Sequence, residues 1–211
     1  VQTCALPIYK TSAPLVFGRG LDGNMLEVRL WTKALTQEEI AATHLRYLTG
    51  YEQELVAYYQ MAEGQGTTLA DRAGGATLLM HGASWNLPKG ISLKIASGEQ
   101  VQLNDNLLGR SKVYDETLML WFRATNNSGD IFKAGWIAGA DSIADKGTLL
   151  TLVDGNLVLH SDEMITSVGR ISDNDWHHFV LTVNRTYNNV SAFVDGKMTA
   201  TFAATELAGI S

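Results

Sequence analysis

Residues 176–196, "WHHFVLTVNRTYNNVSAFVDG", decide the fold class. Apolar side chains occupy alternate positions through residues 176–184 and again through residues 190–194. This period of two is typical of half-buried strands. The dipeptide Asp195-Gly196 ends the second run, and Asp-Gly tolerates the positive φ angles that a two-residue hairpin turn needs. The stretch therefore predicts antiparallel strands joined by tight turns.

The same pattern runs along most of the chain. A second Asp-Gly turn, at Asp154-Gly155, separates two more alternating apolar runs. Many short strands at regular spacing, bounded by glycine, asparagine or aspartate, are typical of a sandwich or a barrel. The other predicted strands cover residues 14–18, 24–31, 54–61, 77–82, 92–95, 100–103, 117–124, 130–137, 147–153 and 156–161.

Residues 35–50 have a helical pattern instead. Thr36 and Glu39 form the capping-box arrangement, and apolar residues then recur three and four positions apart. Gly50 follows where the C′ glycine of a helix belongs. We predict one short helix that connects two strands and covers a sheet edge.

The composition argues against several classes of function. The chain has 22 acidic and 16 basic residues, a net charge of −6, and the acidic residues are spread along it, which argues against a nucleic-acid partner. No run approaches the ~18 uninterrupted apolar residues of a membrane span. The one cysteine is Cys4, so neither a disulfide framework nor a thiolate metal site is available.

Three stretches together resemble the laminin-G-like domains of the concanavalin A-type lectin/glucanase family. Residues 26–40, "LEVRLWTKALTQEEI", resemble the closing signature of that family, and residues 54–75, "ELVAYYQMAEGQGTTLADRAGG", resemble its opening signature. Residues 173–197, "DNDWHHFVLTVNRTYNNVSAFVDGK", are similar to its middle. The resemblance implies an all-β fold, a two-sheet antiparallel jelly-roll β-sandwich with one short helix.

The closing signature precedes the opening one, which predicts an unusual domain organisation. We expect residues 9–50 to be the C-terminal strands and helix of an upstream laminin-G-like domain, and residues 52–211 to be a similar domain without its last strands. Because the first segment supplies strands of the missing kind, and the chain ends of a domain often lie close together, we predict that residues 13–211 form one circularly permuted sandwich. Residues 1–8 match the translation of a common sequencing adapter and are predicted to be non-native.

The carboxylate pattern of the glucanase relatives is missing. Glycoside cleavage needs two carboxyl groups roughly 5–10 Å apart, and those relatives carry them at spaced positions of one strand in an E-x-D-x-x-E type run. No such run occurs here, and Asp115 and Glu116 are adjacent, so on a strand they would face opposite sides. For the same reason His177 and His178 cannot bind one metal ion together. The sequence predicts no enzyme in this segment.

The resemblance implies calcium as the candidate metal. This fold often binds calcium through loop carboxylates and backbone carbonyls, the hard oxygen ligands that the ion prefers. The alternative is that these acidic residues order solvated loops as Asx turns. The candidate ligands are Glu63, Asp71, Asp141 and Asp145.

A glycan site on such a sandwich needs an exposed aromatic platform beside amide or carboxylate groups, since a sugar ring has apolar faces and a polar rim. Residues 123–142 provide both kinds of side chain, although a core position is the alternative for Trp136. In contrast, Trp31, Trp121 and Trp176 lie in strongly apolar runs and are predicted to be core residues. The candidate glycan-binding residues are Asn126, Asn127, Asp130, Trp136 and Asp141.

These expectations lead to three hypotheses. The first is a non-catalytic carbohydrate-binding or adhesion module of a large extracellular or cell-surface protein, with glycans or glycoproteins and neighbouring repeats of the same chain as partners. The second is a structural spacer repeat, and the third is an accessory domain of a secreted glycoside hydrolase. Because a fold does not fix a function, an exposed aromatic residue with convergent polar side chains is what would favour the first hypothesis.

Overall fold

The computed structural model describes residues 15–86, 92–103, 115–134, 148–161, 164–171 and 173–204. The predicted adapter segment, residues 1–8, lies outside these ranges. Within them the chain forms sixteen strands and one helix. In chain order the elements are β1 (Leu15–Phe17), β2 (Gly23–Trp31), α1 (Gln37–Thr43), β3 (Leu55–Tyr59), β4 (Thr68–Leu69), β5 (Leu78–His81), β6 (Ser84–Trp85), β7 (Leu93–Ile95), β8 (Gln100–Leu103), β9 (Glu116–Ala124), β10 (Ser128–Ala134), β11 (Thr148–Val153), β12 (Asn156–Ser161), β13 (Met164–Arg170), β14 (His177–Asn184), β15 (Asn189–Val194) and β16 (Lys197–Phe202).

The strands form two antiparallel sheets. The first sheet has the order β13-β12-β11-β10-β1-β8-β5-β4. The second has the order β16-β15-β14-β9-β2-β7-β6, and β3 pairs with β2 on the same edge as β7. The predicted all-β, two-sheet jelly-roll sandwich with one short helix is therefore confirmed among the described residues.

Strand β2 lies at the centre of the second sheet. It pairs with β9 along one edge, and with β7 and β3 along the other. Strand β2 belongs to the segment 9–50, whereas all three partners belong to the segment 52–211, so strands from both segments share one sheet. A permuted sandwich requires this pairing, and the permutation itself stays a prediction.

The main hydrophobic core lies between the two sheets. Alternate side chains of the long strands build it, among them Phe122 on β9, Phe132 on β10 and Phe179 on β14, which are each 0% exposed. A second cluster covers part of the outer face of the second sheet, beneath α1. Its buried members are Trp31, Leu35, Ile40, Leu48, Leu55, Tyr58, Met119, Val180 and Phe193.

Helix α1 begins as the sequence predicts. The Thr36 hydroxyl accepts a hydrogen bond from the Glu39 N–H, and the Glu39 carboxylate accepts one from the Thr36 N–H. The helix ends at Thr43, well before the predicted end near Gly50. It also covers a sheet face rather than an edge, because Ile40 packs into the second cluster. No helix among the described residues is long and apolar enough to cross a membrane.

The two Asp-Gly turns have the predicted geometry, with φ of 49° at Asp154 and 51° at Asp195, and positive φ at the glycine that follows each. Four strands that the sequence pattern does not predict lie at the ends of the two sheets: β4 and β6, which are two residues long, and β13 and β16. Most of their side chains are exposed or half-buried, so they lack the alternating apolar residues that mark the central strands.

Candidate functional site

The predicted glycan-binding and metal-binding residues are only in part among the described residues. Trp136, Asp141 and Asp145 lie outside them. Asn126 and Asn127 lie in the turn that joins β9 to β10. The remaining predicted residues lie in β10 and around β4.

The turn between β9 and β10 packs against the loop between β1 and β2. The Asp22 N–H donates to Asn126 Oδ1 (3.4 Å), and the Thr125 N–H and hydroxyl both donate to the Asp22 carbonyl (2.7 Å each). Asn127 is exposed, and its carbonyl accepts a hydrogen bond from the Gly155 N–H (3.2 Å). Both asparagines therefore lie at one end of the sandwich, where three loops meet.

Asp130 lies on β10, opposite Thr151 of β11, and is half-buried. Burial raises the pKa of Asp130, although the charges of Lys133 and Arg19 act in the opposite direction. Burial also lowers the pKa of His160, whose Nε2 lies 3.0 Å from Thr151 Oγ1. Both shifts have the same cause, because this part of the first sheet is shielded from water.

The predicted metal ligand Asp71 orders the chain after β4. Its Oδ1 accepts hydrogen bonds from the N–H groups of Tyr58 and Ala73 (2.8 Å each), and a third N–H donates to Oδ2. Glu63 accepts a hydrogen bond from the Ala70 N–H (3.1 Å). Asp71 is thus occupied in the way that the Asx-turn alternative describes. Among the described residues, no group of three or more His, Cys, Asp or Glu side chains is arranged to hold a metal ion.

Asp195, in the Asp-Gly turn after β15, contacts both histidines at the start of β14. Its Oδ1 accepts a hydrogen bond from the His178 N–H (2.9 Å), and its Oδ2 lies 2.9 Å from His177 Nδ1. His177 Nε2 lies 2.9 Å from Asp173 Oδ1. Burial opposes the charged form of His177, but the two carboxylates outweigh it, and the pKa is raised. The His177 ring lies beside Phe122 of the core, whereas the His178 ring lies beside Trp121 and His44, so the two rings lie on opposite faces of the sheet.

Three aromatic rings pack together on the outer face of the second sheet, next to the end of α1. The ring centroids of Trp121 and His178 are 4.9 Å apart, and those of His44 and His178 are 5.6 Å apart. Trp121 Nε1 donates to the His44 carbonyl (3.2 Å), and Trp121 is half-buried rather than fully buried. Burial, followed by the charges of His44 and Arg29, lowers the pKa of His178 to about 3. His178 is therefore neutral at neutral pH.

The same outer face ends in three side chains that we name the Arg123 ledge: Asn24 on β2, Arg123 on β9 and Trp176 just before β14. Arg123 lies opposite Asn24 in the strand register, and its Nη2 donates to Asn24 Oδ1 (2.8 Å). The guanidinium carbon lies 5.8 Å from the centroid of the Trp176 ring, within the range of a cation–π contact. Asn24 is 4% exposed, whereas Arg123 and Trp176 are half-buried.

The position of Trp176 corrects the sequence prediction. Trp176 was predicted to be a core residue, but it belongs to neither hydrophobic cluster. Strand β14 begins at His177, so Trp176 precedes the alternating run rather than taking part in it. Arg123 is the second-last residue of β9, which places the ledge at the same end of that strand as Asn126 and Asn127. The sequence signal that marks the ledge is the charge of Arg123 directly after the apolar run of residues 118–122.

A second set of polar residues lies buried beneath α1, and the sequence analysis assigned it no role. Arg29 is 1% exposed and donates to the Glu27 carboxylate (2.7 Å) and to the carbonyls of Thr43 (2.8 Å) and Arg46 (2.6 Å). The Tyr58 hydroxyl donates to the other Glu27 oxygen (2.6 Å). Burial, together with the bond to Glu27, raises the pKa of Tyr58 to about 12. This network joins the end of the helix to the sheet.

A β-bulge at Glu27 makes that network possible. Glu27 has φ of 49° and is the extra residue between Leu26 and Val28 in the pairing with β9. Without the bulge, a strand that buries Met25 would also turn Glu27 and Arg29 into the apolar core. With it, Val28 joins Met25 in the main core, and Arg29 lies beneath the helix.

Comparison with known families identifies one match. A family model described as the concanavalin A-like lectin/glucanases superfamily matches residues 96–209, which is more than half of the chain. No curated protein and no solved structure matches the chain significantly. The matched range contains two of the three ledge residues, Arg123 and Trp176.

Proposed function

Because the chain belongs to the concanavalin A-like lectin/glucanases superfamily, we propose that it is a non-catalytic carbohydrate-binding or adhesion module of a large secreted or cell-surface protein. Domains of this kind often bind carbohydrates or mediate adhesion, and they are typically extracellular. The proposed partners are glycans or glycoproteins, together with neighbouring repeats of the same chain.

The Arg123 ledge is the observation that carries this proposal. A sugar ring has apolar C–H faces and a polar rim, so it suits an aromatic surface with hydrogen-bonding groups beside it. Trp176 supplies a half-buried indole, and Arg123 supplies a guanidinium that the buried Asn24 amide holds in place. Asn126 and Asn127 lie at the same end of β9 and add further amides.

The position of the ledge on the sheet also supports binding. Asn24 and Arg123 lie on adjacent paired strands at the centre of the sheet, and the cation–π contact holds Arg123 against Trp176. Side chains fixed in this way lose little conformational entropy when a ligand binds, and a site on strands is more precisely placed than a site on loops.

The test is a glycan-array screen of the full chain, run with calcium and again with a chelator. The variant Trp176→Ala should weaken binding about tenfold or more, since a buried aromatic contact is often worth over ~1.4 kcal/mol in a binding site. The matched control is Tyr187→Ala, which removes an aromatic ring that is 80% exposed at the opposite end of β14 and should leave binding unchanged.

The outcomes separate the hypotheses. Binding that depends on Trp176 supports the glycan-binding module, and its loss in chelator would add calcium to the proposed site. If the folded chain bound no glycan on the array, the spacer hypothesis would replace this proposal. If binding survived Trp176→Ala unchanged, the glycan site would lie elsewhere on the sandwich.

A further inference from the structure

We infer that the Arg123 ledge selects saccharides that carry a carboxylate group, such as uronic acids or sialic acids. This inference rests on the proposed function and concerns the chemistry of the ligand at the same site. It starts from a difference between Arg123 and the other partly or fully buried arginines among the described residues.

Arg123 has no anionic partner within the described part of the chain. No described carboxylate lies within ion-pair distance of its guanidinium, and Asn24 is the described side chain that accepts its hydrogen bond. Its Nε is buried and has no described hydrogen-bond acceptor, which is also true of Arg29 Nε, so the difference between the arginines lies in the counter-charge. In contrast, Arg29 pairs with Glu27 at 2.7 Å, and Arg185 lies 3.8 Å from Glu116. A half-buried guanidinium without a counter-charge is unusual, because partial burial weakens the hydration of the ion.

The chemistry of Arg123 suits a carboxylate. A guanidinium presents its N–H groups as a planar fork that matches the two oxygens of a carboxylate, and such bidentate pairs are stronger than neutral hydrogen bonds. Asn24 holds one Nη of the fork, and the Trp176 ring supports the guanidinium at 5.8 Å. The indole can pack against the apolar face of the sugar ring while the fork binds its carboxylate.

The charges around the ledge leave Arg123 free for this role. Lys94 lies opposite Asn24 in the pairing of β2 with β7 and is exposed, so it adds a second positive charge. Two carboxylates near the start of β14, Asp173 and Asp195, are engaged with His177. The net charge of −6 gives no long-range attraction for an acidic ligand, so the selectivity has to come from direct contact.

The experiment compares ligands that differ only in this carboxylate. Binding of the full chain is measured by titration calorimetry with oligogalacturonate and with its methyl ester, and with sialyllactose and with its methyl ester. The wild-type chain should prefer the acidic member of one pair by about tenfold or more, since hydrogen bonds to charged groups are worth roughly 1.5–3 kcal/mol. The pair that shows the preference identifies whether the carboxylate comes from a uronic or a sialic acid.

Two variants assign the preference to a residue. Arg123→Gln should remove it, so that the acidic and neutral members bind alike. The control Arg170→Gln removes an exposed arginine at the end of β13 and should leave the preference unchanged. Thermal unfolding of each variant verifies that it is folded.

Each other result overturns the inference. Equal affinity for acidic and neutral members, or a preference that survives Arg123→Gln, excludes carboxylate recognition while a glycan site at Trp176 still stands. Absence of binding to every ligand in both the calorimetry and the array overturns the proposed function as well.

Discussion

Arg29 and Arg123 lie on the same outer face of the second sheet and have opposite surroundings. Arg29 is 1% exposed beneath α1, where a carboxylate and two carbonyls accept its hydrogen bonds. Arg123 is half-buried at the open end of the face, where an amide and an indole contact it. Arg29 has a carboxylate partner within the fold, whereas Arg123 has none among the described residues.

This difference distinguishes an arginine that stabilises the fold from an arginine on the same face that is suited to bind a ligand. A buried charge is tolerated only when it is paired and hydrogen-bonded, and the helix end and Glu27 meet that condition for Arg29. The guanidinium also lies at the C-terminal end of α1, where a positive charge interacts favourably with the helix carbonyls. At the other end of the face, no helix covers the strands within the described part of the chain. There Arg123, which has an amide partner but no described carboxylate partner, lies next to Trp176 and is suited to bind a ligand.

The largest expected effect comes from removing the covered arginine. Arg29→Gln leaves the Glu27 carboxylate buried without its counter-charge, which should lower the free energy of unfolding by about 3 to 5 kcal/mol. Because whole domains are stable by only about 5 to 15 kcal/mol, this is a large share of the total. Urea unfolding followed by circular dichroism measures it.

The matched substitution at the open end sharpens the comparison. Arg123→Gln removes one hydrogen bond and a cation–π contact at a half-buried position, so it should cost about 1 kcal/mol or less. Equal losses for the two variants would show that both arginines are structural, and the distinction between the two ends would then be wrong.

The two adjacent histidines should give stability opposite pH dependences. The pKa of His178 is lowered to about 3 in the folded state, against about 6.5 for an ordinary histidine side chain. Below pH 6.5 the His178 side chain is therefore protonated in the unfolded chain but stays neutral in the folded chain until about pH 3. Stability falls as the pH drops between these two values. The pKa of His177 is raised, so its contribution is fully present below pH 6.5 and is lost as the pH rises through its folded pKa.

Unfolding free energies at pH 8 and pH 5 test this contrast. The shifted pKa of His178 alone should lower the free energy of unfolding by about 2 kcal/mol between pH 8 and pH 5. The variant His178→Phe keeps an aromatic ring beside Trp121 and should lose less stability on acidification than the wild-type chain. The variant His177→Gln should lose more stability on acidification than the wild-type chain. If both variants shifted in the same direction, the two rings would not have the different surroundings described above.

The fold followed closely from the sequence, because the strands that build the core alternate strictly. The exceptions are informative. Strands β4 and β6 are two residues long, and strands β13 and β16 carry mostly exposed or half-buried side chains, so alternation does not reveal them. The bulge at Glu27 reverses which residues of β2 face the core. In the sequence, only the spacing of the core residues Met25, Val28 and Leu30 indicates the bulge.

The candidate site was harder to predict for a related reason. Trp176 lies one position before the alternating run of β14. At that position the sequence pattern is the same whether the side chain is buried in the core or lies at the end of the sheet. Whether Asn24 and Trp176 converge on Arg123 depends on the register of β2, β9 and β14, and pairing across about 100 residues leaves no local signal. The predicted Trp136, Asp141 and Asp145 lie outside the described residues, so their part of the site stays a prediction.

The smallest expected effect tests whether the covered end depends on the helix itself. Thr36→Ala removes the hydroxyl that accepts the Glu39 N–H, and loss of such a cap costs about 1 kcal/mol. Arg29 donates to the carbonyls of Thr43 and Arg46, which lie at and just beyond the other end of α1. If a frayed helix also loosens the Arg29 network, the stability losses from Thr36→Ala and Arg29→Gln should be less than additive. A double-mutant cycle measures this coupling. Full additivity would show that the cap and the network act independently, and the covered end would then owe its stability to the sheet rather than to the helix above it.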